Sequence, residues 1–449
     1  MNDETYGVEE FRNRTPKSRA AWERASKLIP GGVGSAIQFK PPYPLSIGDS
    51  KGSRVWDVDG NEYIDYSLCY AAMVAGHANP HIVEAIKKQA EHGTLYGLPT
   101  TLAADLAEEI IRRYPGVIEM IRFTQSGVEA TQTVIRLARA ATGRKKIVKI
   151  EGQYHGGTDH LLLSIGGASP EAMGPDDRPN STPDSSGLLP ASVEHTVVVQ
   201  FNDLGQMRAA FDRFEGDVAG VIVEPAMTNG GVIPPEPGYL EGLRELTTEK
   251  GAVLIFDEVK VGCRIAPGGA TELWGVKADL VTLAKAIGGG VPVGAFGGRR
   301  DLMEQVSPLG PMVHFGTYNA NPLGMAAGLA CLTKVMTDDA YKEMTRLATR
   351  LADGQRQIVG DLGIPAFVVQ VQTLGGIFLG LTEQPRNFRE AARSDMGKWD
   401  DYWFGMLNRG VIPMGSAWFE EWSISAQHTD EDVDRTLEVT EDVLKEIHA

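Results

Sequence analysis

The sequence predicts an α/β protein with a mostly parallel central sheet in a large domain and a smaller α+β lobe formed from both termini. Three observations carry this. Short continuous apolar runs, such as Val218–Val223 and Ala252–Phe256, stop at acidic residues, as strands covered on both faces do. Such runs alternate with helical patterns from about residue 120 to 300, the signature of right-handed βαβ units. From about 331 the character changes to a helix, then mixed strands, then a last helix from Asp430. The expected division is 1–75 as N-terminal segment and part of the small lobe, 76–330 as the large domain and 331–449 as the C-terminal small domain.

Composition narrows the class. A chain of 449 residues is too long for one simple core and suits a large domain with a lobe. Hydrophobic content of 42% with 23% charged residues is that of a soluble globular protein. A formal net charge of −16 argues against nucleic acid or an anionic membrane as partner, since both demand a basic face. The three cysteines are odd in number and widely spaced, so neither a disulfide framework nor a metal-ligand set is expected. The N-terminal stretch has no apolar core and no run reaches membrane-spanning length, so the expected compartment is the cytoplasm.

In chain order, residues 1–28 read as polar helix with Trp22 and Leu28 as docking points, broken by Pro30-Gly31-Gly32. Leu45–Ile47 and Arg54–Val58, with the turn Asp59-Gly60-Asn61, read as a hairpin continuing into Tyr63–Tyr66. Helices are expected near 80–92 and 100–113, the second capped by Thr100 or Thr101. At Phe123-Thr-Gln-Ser-Gly-Val a strand ends and a helix runs on to Gly143. Ser126 is an ordinary N-cap there, yet a helix start also holds anions on its free N–H groups. Ile147–Ile150 is a strand ending in Glu151-Gly-Gln-Tyr-His-Gly-Gly. Residues 166–190, rich in Gly, Pro, Ser and Asp, form a loop long enough to be either disordered or functional. Val218–Val223 closes on Glu224-Pro-Ala-Met-Thr-Asn229, and a helix is expected from Leu323 to Met336.

The stretch Ala252–Gly298 carries the chemistry. One apolar run stops at Asp257-Glu258; a second, Asp279–Ala284, stops at Lys285, followed by Ala-Ile and three glycines. In parallel sheets ligands collect at the carboxyl ends of strands, so a carboxylate and an amine are offered at one edge. A lysine desolvated among apolar neighbours can attack a carbonyl and form a Schiff base. A buried carboxylate facing a pyridine nitrogen keeps it protonated, which makes the ring an electron sink. Together they suit pyridoxal 5'-phosphate. The bland alternative is a solvated lysine and a turn aspartate. No G-x-G-x-x-G follows an early strand, which excludes a nucleotide-binding Rossmann protein.

Phe256-Asp-Glu-Val, the lysine before AIGGGVPVGAFGGR, and GTYNANPLGMAAG resemble the class III pyridoxal-phosphate-dependent aminotransferases of fold type I. Within them the chain is most similar to the glutamate-1-semialdehyde 2,1-aminomutase subgroup, from about Ile29 to the C-terminal helix. The resemblance implies Lys285 as the Schiff-base lysine, Asp257 as the partner of the pyridine nitrogen, and Val259 against one face of the ring. It implies Tyr154 stacked on the ring, His155 as an orienting or merely structural group, and Ser126, Gly127 and Val128 as phosphate donors. Asn229 would donate to the cofactor hydroxyl, and Thr317 would reach the phosphate of the neighbouring subunit's cofactor, giving a homodimer with shared active sites. The aminomutases place an active-site lid near 166–190. Glu420 stands where the family has an active-site glutamate, and Tyr70, Tyr96, Trp418 and Trp422 are candidates to line an apolar substrate pocket.

One departure bears on the substrate. After PGGV-x-S the aminomutases carry an arginine for the substrate carboxylate, and this chain has Gln38. The expectation is therefore an aminotransferase that moves an amino group from an amine or non-standard amino acid to a 2-oxo acid by way of pyridoxamine phosphate. The alternative is the aminomutase reaction, within one molecule. A binding or regulatory protein without turnover is disfavoured by the intact Lys285, Asp257 and Ser126-Gly127.

Overall fold

The structure, a computed structural model, describes residues 5–415 and 420–448. The chain divides into two units. The larger comprises Pro80–Tyr341 together with the short segment Pro385–Ala391; the smaller comprises the chain up to Asn79, Lys342–Gln384 and the chain from Ala392 on.

The larger unit is built on a seven-stranded sheet whose strands are β1 (Met120–Thr124), β2 (Lys146–Ile150), β3 (Thr196–Val199), β4 (Val218–Val223), β5 (Val253–Asp257), β6 (Leu280–Leu283) and β7 (Gly294–Gly298). Their order across the sheet is β1-β7-β6-β5-β4-β2-β3. β7 is antiparallel to both its neighbours, and the β6-β5-β4-β2-β3 run is parallel throughout. Every residue of β4, β5 and β6 is buried, which is why these strands read as unbroken apolar runs instead of alternating ones. Helix Gly127–Thr142 covers one face of this sheet with Ala130, Val134, Leu137 and Ala138, one turn apart, packed on Ile147, Ile222, Ile255 and Leu280. Each such fully buried aliphatic chain contributes about 1.5–3 kcal/mol relative to exposure. That packing sets the helix N-terminus at the edge where β1, β2, β4, β5 and β6 end.

The smaller unit contains two four-stranded sheets. One joins Ile47–Lys51, Arg54–Asp57 and Glu62–Asp65 to Val411–Ile412, so both ends of the chain share it. The other contains Ala366–Val371, Leu374–Leu379 and Glu420–Ser423. Asp432, buried at the start of the last helix, accepts from Ser53 Oγ at 2.8 Å and lies 2.9 Å from the Arg54 guanidinium, which ties the N-terminal hairpin to helix Asp430–His448.

Three local expectations need correction. The first hairpin strand is Ile47–Lys51, not Leu45–Ile47; its residues are largely exposed and polar, so it has no apolar signal. Leu28 does not dock, being 77% exposed, whereas Trp22 stacks on Tyr43 with centroids 6.1 Å apart. The helix expected to reach Met336 is α-helical over Pro322–Ala330 and widens to a π turn over Cys331–Val335.

Candidate active site

Five parallel strands of the larger unit end at one edge, and each delivers part of the site. Asp257 is the last residue of β5 and is buried. Its Oδ2 accepts from His155 Nδ1 at 2.7 Å; its Oδ1 accepts from Thr282 Oγ1 at 3.0 Å and from the Val259 N–H at 3.1 Å. Thr282 faces Asp257 across the β5–β6 pair. A carboxylate held by three donors has both of its oxygens oriented. His155 is itself buried, and its Nε2 has no hydrogen-bond partner among the described residues.

Glu224, just past β4, is a second buried carboxylate, fully occupied by its surroundings. It accepts from the Tyr154 N–H (3.0 Å), the Thr228 N–H (3.0 Å), Thr228 Oγ1 (2.7 Å) and Asn229 Nδ2 (2.8 Å). Gln153 completes the junction, donating to the Glu224 carbonyl at 2.9 Å and accepting from its N–H at 2.8 Å. Tyr154 and Asn229, expected at the ring and at the cofactor hydroxyl, are thus hung on one carboxylate. Tyr154 is 41% exposed, and burial of its phenol together with the Asp257 charge raises its pKa, which places the two side chains in one field.

Lys285 follows β6 at the head of a tight turn, half-buried, in the left-handed region with φ 47°. A lysine held there reports a backbone over-determined by its surroundings. Cys331 Sγ donates to the Ala286 carbonyl at 3.4 Å, and a Cβ on Gly328 would lie 2.3 Å from the Ile287 carbonyl, so the turn rests directly on helix Pro322–Ala330 and the π turn after it.

Ser126 caps helix Gly127–Thr142, its Oγ accepting from the Glu129 N–H at 3.4 Å, while the Glu129 carboxylate accepts from the Gln125 N–H at 2.8 Å. First-turn N–H groups have no intrahelical acceptor, so those of Gly127 and Val128 can meet an anion. A Cβ on Gly127 would sit 2.9 Å from both methyl groups of Val259, and one on Gly156 would sit 2.9 Å from Val128. The helix start, the Asp257 turn and the Tyr154 turn are therefore in mutual contact.

The other candidates are placed less centrally. Thr317 is exposed in the segment 314–322, where Gln125 Nε2 donates to the Tyr318 carbonyl. Tyr96 is 43% exposed, its hydroxyl donating to the His92 carbonyl, and lines a cavity of about 890 Å³ with Thr317. In the smaller unit, Tyr70 lies in the turn Leu68–Ala71, whose four residues all have positive φ, and its hydroxyl donates to the Ile37 carbonyl at 2.5 Å, one residue before Gln38. Gln38 Oε1 accepts from the Ser35 N–H at 3.1 Å in a capping box. Glu420 opens strand Glu420–Ser423, and Trp418 lies outside the described residues. Trp422 is a core residue, buried and donating to Gln355 Oε1 at 3.0 Å. The loop 166–190 is ordered by its own bonds, Asp184 accepting from the Ile165 and Gly167 N–H groups at 2.8 and 2.7 Å.

Sequence reasoning missed Thr282 and Gln153. Thr282 lay inside an apolar run, where its only signal was a hydroxyl among buried aliphatic residues.

The residues present fit pyridoxal phosphate. A buried oriented carboxylate, a half-buried lysine, an aromatic face and a helix N-terminus are joined at one edge by contacts that leave no room for extra side-chain atoms on Gly127 or Gly156. Comparison with known proteins agrees. The family described as Aminotransferase class-III matches residues 38–435. A glutamate-1-semialdehyde 2,1-aminomutase of Bacillus licheniformis is 44% identical over 96% of this chain and 98% of its own length. Among solved structures, an omega-transaminase from Sphaerobacter thermophilus is 31% identical, with a TM-score of 0.91 over 96% of this chain and 98% of its own. A glutamate-1-semialdehyde aminomutase from Pseudomonas aeruginosa is 30% identical, with a TM-score of 0.87 over 98% and 97%. The chain belongs to the class III aminotransferases, pyridoxal-phosphate enzymes of fold type I.

Replacing Asp257 by Asn keeps the shape and removes the charge that would hold a ring nitrogen protonated. A contacting opposite charge moves a pKa by about one to three units, so turnover should fall at least tenfold with the fold retained. Near-parental turnover, measured beside an unchanged melting curve, would make this carboxylate structural.

Glu258 gives a pH signature. Burial raises its carboxyl to about 8 from 4.5, although the Ala270 N–H and the Tyr114 hydroxyl donate to its Oε2 at 2.8 and 3.1 Å. Between those two values the folded chain holds a proton that the unfolded chain releases, so stability falls as pH rises from about 4.5 to 8. Glu258→Gln should therefore lose less stability than the parent over that window in denaturant titrations. Parallel curves for the two proteins would show that Glu258 is not held neutral.

Proposed function

We propose that the chain is a glutamate-1-semialdehyde 2,1-aminomutase, moving an amino group between adjacent carbons of one small-molecule substrate. The observation that carries this is the end-to-end likeness to a curated aminomutase, at 44% identity over 96% of this chain and 98% of its own length. It overturns the expectation of an aminotransferase with a separate amino donor and 2-oxo acid acceptor. That expectation gave Gln38 the deciding weight. Yet Gln38 is one residue on an exposed turn whose amide oxygen caps its own backbone, and a likeness spread along the whole chain outweighs it.

Bound pyridoxal phosphate supplies an electrophilic carbon and an electron-withdrawing ring. Asp257, with His155 and Thr282 fixing both of its oxygens, would hold positive charge at the ring nitrogen. Ser126 and the Gly127 and Val128 N–H groups would hold the phosphate, Tyr154 and Val259 the ring, and Asn229, set by the Glu224 hub, the hydroxyl. Lys285 Nζ takes the proton from the carbon that bears the amine and returns one at its neighbour, acting as base and then acid. Free cysteines Cys69, Cys263 and Cys331 accord with a cytoplasmic setting.

The enzyme works as a homodimer in which Thr317 serves the other subunit's site. Supporting this, Thr317 lies on an exposed apolar face with Leu98 and Phe315, 79% and 86% exposed. Contiguous exposed apolar surface of this kind marks an interaction site.

Side by side, purified protein should isomerise the semialdehyde with no added oxo acid. Amino transfer from a donor panel to pyruvate or 2-oxoglutarate, with no isomerisation, would refute the proposal. Phe315→Glu should shift sedimentation toward monomer and lower activity in step; a fully active monomer would disprove the shared site.

A further inference from the structure

Pro385–Ala391 belongs to the larger unit although the chain on both sides of it belongs to the smaller. Its two central side chains reach the turns on which the proposed cofactor contacts are built. Phe388 is buried, and a Cβ on Gly152 would come within 2.4 Å of it; one on Gly230 would lie 3.0 Å from its ring. Gly152 (φ 80°) starts the turn that presents Tyr154, and Gly230 directly follows Asn229. The ring is therefore a wedge between the two turns that already share Glu224, and each turn carries a glycine where the wedge bears on it.

Arg389 makes the other half of the grip. Its guanidinium forms a forked pair with the buried Glu151 carboxylate, Nε to Oε2 at 2.7 Å and Nη2 to Oε1 at 3.0 Å. The remaining N–H groups reach the 166–190 loop: Nη2 donates to the Met173 carbonyl (2.9 Å), and Nη1 to the Gly174 carbonyl (2.8 Å) and Asp176 Oδ1 (2.6 Å). The Asp176 carbonyl in turn accepts from Gln200 and Gln206 Nε2 at 2.8 and 2.9 Å. Glu151 is the residue before Gly152. Arg389 thus joins the root of the Tyr154 turn to the loop above it, with a planar fork that lysine cannot reproduce. The polypeptide spans 238 residues between the two charges, so the tie is not a local consequence of chain connectivity.

We infer that Phe388 and Arg389 are positioning residues for the cofactor site, a clasp that fixes the Tyr154 and Asn229 turns and the 173–176 loop segment together. The inference rests on Tyr154 and Asn229 lying beside the cofactor, and is independent of which amino compound reacts.

The test uses the full-length protein and pyridoxal phosphate as the probe, reading cofactor dissociation constant, visible circular dichroism of the bound cofactor, and melting temperature. Arg389→Gln leaves Glu151 buried and unpaired, so it melts earlier for reasons that any structural salt bridge would share. The double variant Glu151→Gln, Arg389→Gln removes both charges and should recover most of the melting temperature. A clasp predicts that the double variant still binds the cofactor about tenfold more weakly, equivalent to roughly 1.4 kcal/mol, with a diminished dichroic band. Arg389→Lys should fall between it and the parent. Phe388→Leu, which alters no charge, should weaken the cofactor in the same way. Parental affinity and dichroism in both the double variant and Phe388→Leu would overturn the clasp. Tyr154→Leu separates the two levels. If it changes the dichroic band while the clasp variants do not, the site reading stands and the clasp falls. If it leaves the band unchanged, Tyr154 is not on the ring and both fall.

Discussion

The structure depends on satisfying one buried carboxylate, Asp257, at the end of β5. Burying an ionised carboxylate costs several kcal/mol unless its oxygens are satisfied. The donors come from three places in the chain: Thr282 on the adjacent strand, Val259 two residues on, and His155 from the segment after β2. β2 is separated from β5 by β4, so residues 151–155 have to pass across the end of β4 to deliver His155. Gln153 pairs with both backbone groups of Glu224 along that path, much as a strand neighbour would. The crossing segment then leaves Tyr154 exposed and His155 buried. An exposed aromatic ring and a donor to Asp257 are two consequences of one short run of backbone.

Three carboxyl groups meet at these strand ends, and their surroundings separate their roles. Glu224 accepts four hydrogen bonds and has nothing left to offer a ligand. Glu258, whose carboxyl is pushed up to about 8 by burial, holds its proton at neutral pH. Asp257 is buried, oriented by three donors and close enough to the Tyr154 phenol to add to the rise in its pKa that burial causes. The Asp257 carboxylate adds to the rise of Glu258, next to it in the chain, since a second negative charge nearby disfavours ionisation.

Much of this was legible in the sequence because buried parallel strands write themselves as apolar runs with abrupt polar ends. Asp257, Lys285, Glu224 and Glu151 each stand just past such a run, and Ser126 opens a helix whose apolar positions recur at helical spacing. What stayed hidden depends on tertiary placement. Thr282 is indistinguishable from core inside DLVTLA until Asp257 is set opposite it. Arg389 sits in a polar stretch with nothing local to mark it, and its meaning comes from Glu151 far away in sequence. The left-handed turn Leu68–Ala71 contains no glycine, so the usual sign of positive φ was missing. Leu28 and Trp418 were both read by hydrophobicity alone; the first is exposed, and the second lies outside the described residues.

The reaction was misread for a reason that is itself physical. Replacing arginine by Gln38 exchanges a charge-assisted pair for a neutral bond, a loss of roughly 1.5–3 kcal/mol where the pair is made. A loss of that size changes how long a carboxylate stays bound, by about tenfold to a hundredfold. It does not alter Lys285 or Asp257, the two residues proposed to act on the cofactor. Aminomutase and aminotransferase chemistry need the same base, the same carboxylate and the same phosphate cradle; they differ in whether the half-converted substrate remains until the amino group returns to it. Retention depends on every residue that touches the substrate and not on one of them alone. Whole-chain likeness samples all of those residues at once, whereas a single motif position samples one, so the two kinds of evidence should be weighted by how much of the retaining surface each one sees.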